Sequence, residues 1–92
     1  MYRTRSTKTY RKAFKRISRH KDFNDDEFNL LIDLLCQDEE VLPLKYKDHQ
    51  LKGNFKDYRE CHIQNDILLV YKKYEDVLIL ALVNIGSHSE LF

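Results

Sequence analysis

The chain has no tryptophan, a single proline, a single methionine, two glycines and two cysteines, so few residues in its 92 punctuate or staple a fold. Cys36 falls in a helical pattern and Cys61 in a strand pattern. They form no disulfide framework and no metal-ligand spacing, and they read as small core or near-surface thiols. The longest unbroken apolar run, Val77 to Val83, is seven residues, against the roughly 18 to 20 a membrane-crossing helix needs. Basic residues near the start are not followed by an apolar stretch, so no secretory signal is expected and the cytoplasm is the expected location. There is no P-loop, no dinucleotide fingerprint and no HExxH, which removes the commonest nucleotide-binding and zinc-protease classes. Repeats, low-complexity segments and linkers are also missing. The chain is expected to be one domain, residues 1–92, with room for one small core and a site on its surface.

Charge of one sign is scarce only locally. The net charge is +1, yet residues 1–21 hold nine Lys or Arg and no acid, residues 22–40 hold eight Asp or Glu and no base, and residues 41–92 hold seven of each. A basic block of this kind meets phosphate, an acidic protein segment, or the acidic block beside it.

Tyr2 to Arg5 are too few and too polar for a central strand and are read as an edge strand. Thr7 offers an N-cap, and Tyr10, Ala13, Phe14 and Ile17 follow at helical spacing among basic residues, with His20 and Lys21 closing the helix. Asn24 and Glu27 have the spacing of a capping box, and Phe28, Leu31, Ile32 and Leu35 recur on one helical face that ends before Pro43. The two helices predict an antiparallel hairpin laid on a sheet. Leu42 to Lys56 reads as a loop carrying His49, with a short strand near Leu51. Three strands follow at about 55–63, 67–74 and 77–85. The last is almost wholly apolar, which predicts a central strand covered on both faces. Gly86 then frees the backbone for the tail Ser87 to Phe92. Leu91 and Phe92 would either pin that tail or leave Phe92 to stack on a flat ligand.

Three histidines stand near strand ends: His49, His62 and His88. Gln64, Asn65 and Asp66 make a turn that brings Asp66 near His62 at one end of the sheet. If short connections gather these groups on one rim, the set suits RNA cleavage by the RNA's own 2′-hydroxyl. That reaction needs a base, an acid for the departing 5′ oxygen, and positive charge for the phosphorane-like transition state. Histidine, with an ordinary pKa of about 6.5, serves the first two. Lys52, Lys56 and Arg59 are candidates for the third.

The segments Tyr46-Lys47-Asp48-His49-Gln50-Leu51-Lys52-Gly53, Tyr58-Arg59-Glu60-Cys61-His62 with Asp66, and Gly86-Ser87-His88-Ser89-Glu90-Leu91-Phe92 together resemble YafQ toxins of the RelE/ParE superfamily, from type II toxin–antitoxin systems. The resemblance implies an α+β fold of order β-α-α-β-β-β, with a helical hairpin packed on a mainly antiparallel sheet. It implies an mRNA endoribonuclease acting in the A site of the 70S ribosome, without metal or other cofactor. It also implies a cognate antitoxin that silences the toxin and carries the complex onto operator DNA. His49, His62, Asp66, His88 and Phe92 match the positions that look catalytic in this family. In that reading His88 is the acid, His62 or His49, oriented by Asp66, activates the 2′-hydroxyl or steadies the phosphate, and Phe92 stacks on a base. Two positions depart from the family. Asn84 stands where many relatives place an arginine on the scissile phosphate, and Ile67 stands where the best-known member has tryptophan. An amide bonds phosphate without neutralising it, so lysines or Arg59 would supply the charge.

Two other readings compete: a ParE-like gyrase poison or non-enzymatic binding module of the same fold, which needs none of the histidines, and a zinc site built from His49, His62, Asp66 and His88, which lacks ligand spacing.

Overall fold

A computed structural model describes residues 1–37 and 42–92. Asp38, Glu39 and Glu40, the end of the acidic block, lie outside the described residues. The elements are β1 (Arg3–Ser6), α1 (Lys8–Ile17), α2 (Asp25–Cys36), β2 (His49–Gln50), β3 (Arg59–Gln64), β4 (Ile67–Tyr74), β5 (Ile79–Gly86) and α3 (His88–Leu91), with 3₁₀ turns at Leu44–Tyr46 and Gly53–Phe55. The five strands form one sheet of order β1-β5-β4-β3-β2. β1 runs parallel to β5, and the other neighbours are antiparallel. This is the expected α+β fold.

Both long helices start where a side chain replaces the missing intrahelical acceptor. Thr7 accepts from the Tyr10 N–H and Asn24 from the Glu27 N–H. The Asn24–Glu27 box is only half made. Glu27 turns instead to the Tyr46 hydroxyl at 2.7 Å and Lys45 Nζ at 2.9 Å, and the Asn24 N–H is taken by Gln64 Oε1 at 2.7 Å. That exchange ties the start of α2 to the end of β3. The helices meet through Phe14, Phe23 and Phe28 and cover one face of the sheet. Tyr10, Ala13, Ile17, Leu31 and Leu35 pack there with Cys61, Ile63, Leu69, Tyr71, Leu80, Leu82 and Ile85. Each leucine buried there contributes about 1.5–3 kcal/mol.

Several expectations shift. β5 is interior, but β4 is the middle strand and the one enclosed on both sides, with Leu68, Leu69, Val70 and Tyr71 all buried. Along β5 burial alternates instead, deep at Leu80 and Leu82 and partial at Ala81 and Val83. Val77 and Leu78 are exposed and precede the strand, Leu78 with a φ of 53°. β3 begins at Arg59, four residues later than expected, because Gly53–Phe55 turns before the chain can extend. His49 is itself in a strand, paired opposite Glu60. Gly86 has no positive φ; it provides space, since a Cβ there would sit 3.2 Å from Glu90 Oε1.

Candidate functional site

Side chains alternate across a strand, so residues two apart share a face. In β3 this puts Cys61 and Ile63 into the core and turns Glu60 and His62 to the face away from the helices. Cross-strand partners extend that open face: His49 opposite Glu60, Glu60 opposite Val70, and Val70 opposite Asn84. The next row runs from His62 through Leu68 to Gly86, from which the tail carries His88 back over the same surface.

His62, Asp66 and His88 line one cleft of about 410 Å³ together with Lys45, Lys47 and Leu68. His49 adjoins it: the Nε2 atoms of His49 and His62 lie 3.6 Å and 3.8 Å from the same Glu60 Oε1. Glu60 is 3% exposed, whereas the His49 side chain is 51% exposed and that of His62 32%. His49 Nδ1 is 2.8 Å from the Lys47 carbonyl. A carbonyl only accepts, so Nδ1 carries the proton and Nε2 is the basic nitrogen. Burial holds the His62 imidazole below the usual histidine range; Glu60 opposes this, while Lys47, His49 and His88 reinforce it.

Asp66 makes no hydrogen bond to His62. Its Oδ1 accepts the backbone N–H of His88 at 3.3 Å, fixing the start of the tail helix. Ser87 and Glu90 complete a true capping box there, and Glu90 pairs with Arg16 of α1 at 2.7 Å. The backbone N–H of Ser87, then its hydroxyl, with the positive charge of Arg16 and His20 behind them, keep the Glu90 carboxyl below its usual range. Lys47 and Asp66 both adopt left-handed backbone, with φ of 49° and 48°. For lysine this costs roughly 1 kcal/mol, held in place by the surrounding turn.

Phe92 stands beside His88, ring centroids 5.3 Å apart, and edge-on to Phe55 at 5.5 Å. With Thr7, Tyr58, Val70, Val83, Asn84 and Leu91 these two phenylalanines line a second, apolar hollow of about 260 Å³. Asn84 Oδ1 accepts the N–H of Ile85 at 2.9 Å, which leaves its amide N–H groups to donate outward.

The expected cations are arranged differently. Arg59 faces the other side of β3, where its guanidinium binds Asp48 at 2.7 Å and Asp48 also accepts the Tyr71 hydroxyl. Lys56 lines the same opposite cavity, and Lys52 sits exposed ahead of the 3₁₀ turn. Lys45 is held by Glu27. Lys47 is the further cation in the histidine cleft. Sequence reasoning missed Lys47 and Glu60. Glu60 was legible from strand alternation, two residues before His62, and the tail helix from the Ser87-x-x-Glu90 spacing. Among the described residues no group of three or more His, Cys, Asp or Glu is arranged to hold a metal ion.

Comparison with known proteins places this geometry in context. Residues 2–92 match the family described as bacterial toxin of type II toxin-antitoxin system, YafQ. The mRNA interferase toxin YafQ of Escherichia coli K12 is 39% identical over 74 residues, 80% of this chain and 76% of that protein. A metal-bound toxin from Helicobacter pylori superposes with a TM-score of 0.87 at 39% identity, covering all of both chains. The toxin in the DinJ-YafQ complex of E. coli superposes with a TM-score of 0.83 at 31% identity, covering 100% of this chain and 99% of that one.

Proposed function

This chain belongs to the YafQ family of toxins of type II toxin–antitoxin systems, and from that premise we propose that it is an mRNA endoribonuclease using metal-independent acid–base catalysis. The observation that carries the reading is the meeting of three imidazoles and Lys47 on the open face of the sheet.

The RNA lies across that face, with a base against Phe92 and Phe55 and the scissile phosphate over the histidine cleft. Stacking on an aromatic ring contributes about 1–3 kcal/mol per base and tolerates sequence variation. His49 Nε2 takes the 2′-hydroxyl proton, since Nδ1 is already committed to the Lys47 carbonyl. The 2′ oxygen bonds to phosphorus, the bond from phosphorus to the 5′ oxygen breaks, and His88 gives its proton to that oxygen. The products are a 2′,3′-cyclic phosphate and a 5′-hydroxyl, and water restores both imidazoles. His62, kept neutral by its partial burial, hydrogen-bonds a phosphate oxygen. Lys47 supplies the charge the phosphorane needs, and the Asn84 amide assists as a neutral donor. Asp66 contributes by holding the backbone of His88 in place.

The E. coli relative is named an mRNA interferase toxin and forms a toxin–antitoxin complex with DinJ. This toxin is further proposed to cut message in the ribosomal A site, in the cytoplasm, as a one-domain protein. A cognate antitoxin silences it, covering the histidine face or the basic face of α1, and carries the complex to operator DNA. No helix is long and apolar enough to cross a membrane among the described residues. The test is a programmed 70S ribosome, in the magnesium it requires, incubated with purified toxin freed of transition metals beforehand. Cleavage at the A-site codon, lost in His88→Ala, is the expected result. Inhibition of DNA gyrase supercoiling without RNA cleavage would replace this reading with the ParE-like one.

A further inference from the structure

Glu60 is the most deeply buried acid among the described residues, and nothing in the reaction above touches it. Its neighbours along β3 are accounted for: Arg59 is held by Asp48, and Cys61 is enclosed in the core. A carboxylate taken out of water this far needs a compensating charge or donor. The groups facing Oε1 are the Nε2 atoms of His49 from β2 and of His62 from its own strand, at 3.6 Å and 3.8 Å. A single oxygen therefore serves two imidazoles.

We propose that Glu60 is a positioning residue that couples His49 and His62 into a pair able to hold at most one proton. Resting on the nuclease reading, it has a direct chemical consequence. When His49 takes the 2′-hydroxyl proton at Nε2, the new imidazolium forms against a charge already in place. The same charge is then no longer available to a protonated His62, and the two cations repel. His62 stays neutral while His49 is charged, and the reverse holds when His62 carries the proton. Other groups facing the pair are Lys47 and His88, whose positive charge opposes protonation of His62, while Lys45 and Asp66 line the same cleft. The Lys47 carbonyl takes the proton on Nδ1 and so sets the tautomer of His49, while Glu60, on the side of Nε2, stabilises the ring once Nε2 is protonated as well.

The test is an NMR titration of the imidazole signals in the full chain, for wild type, Glu60→Gln and His62→Gln. In Glu60→Gln the midpoints of His49 and His62 fall by about one pH unit, as expected for losing a charge under 4 Å away in a partly wet site, while His88 stays put. In His62→Gln, which retains Glu60, the His49 curve sharpens to a simple one-proton titration with a higher midpoint. This second variant decides the matter if Glu60→Gln does not fold. Unmoved His49 and His62 midpoints in a folded Glu60→Gln, or a His49 curve indifferent to His62→Gln, would overturn the proposal. The titration needs no RNA: coupled imidazoles in a chain that cuts no message would uphold this assignment and remove the nuclease reading.

Discussion

Arg59 and Glu60 are consecutive in the chain and point to opposite faces of one strand, Arg59 toward a carboxylate and Glu60 toward two imidazoles. On the helix side, Arg59 meets Asp48 with two of its nitrogens and Asp48 also binds the Tyr71 hydroxyl. On the open side, Glu60 meets two imidazoles just beyond hydrogen-bond distance. The first cluster is saturated by groups whose charge is fixed near neutral pH, with Asp48 holding the arginine ever more firmly protonated and burial pushing the Tyr71 hydroxyl up. The second gathers two imidazoles around one buried carboxylate oxygen. A saturated cluster holds structure together; a buried charge facing titratable rings stores the capacity to move a proton.

Breaking the open side has the larger effects. His88→Ala removes the proposed acid and should lower cleavage by roughly 10²–10⁴-fold, with growth arrest lost on expression and the circular dichroism spectrum unchanged. Full toxicity in that variant would reassign the acid. Lys47→Met should reduce cleavage by about 10–100-fold, since it removes one charge from the transition state and leaves the backbone able to keep its turn. Raised His62 titration in the same variant, read by NMR, would show that the side chain and not the turn is responsible.

Breaking the helix side should be felt in stability alone. Arg59→Met is expected to cost about 1 kcal/mol, read as a lower denaturation midpoint; the value is modest because the guanidinium is partly wet. Cleavage per folded molecule should be unchanged. A large loss of cleavage with no loss of stability would return Arg59 to the phosphate-binding role expected of it from sequence.

The smallest effect is a pH dependence. His62 in the folded chain binds its proton less readily than in the unfolded chain. Its contribution is therefore at its fullest above about pH 6.5 and declines as pH falls through that value, when the unfolded chain takes the proton first. Unfolding midpoints at pH 7.5 and 5.5 should differ less in His62→Gln than in wild type. Staying above pH 5 keeps the depressed carboxyls of Glu27 and Glu90 out of the comparison.

Local signals were easy to read. Thr7 and Asn24 cap helices as their side chains allow, and the 3.6-residue spacing of Phe28, Leu31 and Leu35 marks the buried stripe of α2. The same kind of signal failed where a tertiary contact outbid it. Glu27 has capping-box spacing, yet its carboxylate finds a lysine and a tyrosine brought in from the 3₁₀ turn. The apolar run from Val77 suggested a strand enclosed on both faces, but hydrophobicity alone cannot tell the middle of a sheet from the next position. β4 takes the middle place because β1 adds parallel to the far side of β5. At the site, the three histidines, Asp66 and Phe92 stood out by type and spacing. Glu60 and Lys47 did not, because their importance lies in what they face.

Composition, periodicity and capping residues determined the elements of this chain, their order and the face each helix buries, since those preferences act within a turn or between alternate residues of a strand. Which charge answers which was decided only in three dimensions. Coulomb attraction and hydrogen bonding depend on separations of a few ångström, and the sheet sets those between residues as far apart in sequence as Arg16 and Glu90 or Asp66 and His88.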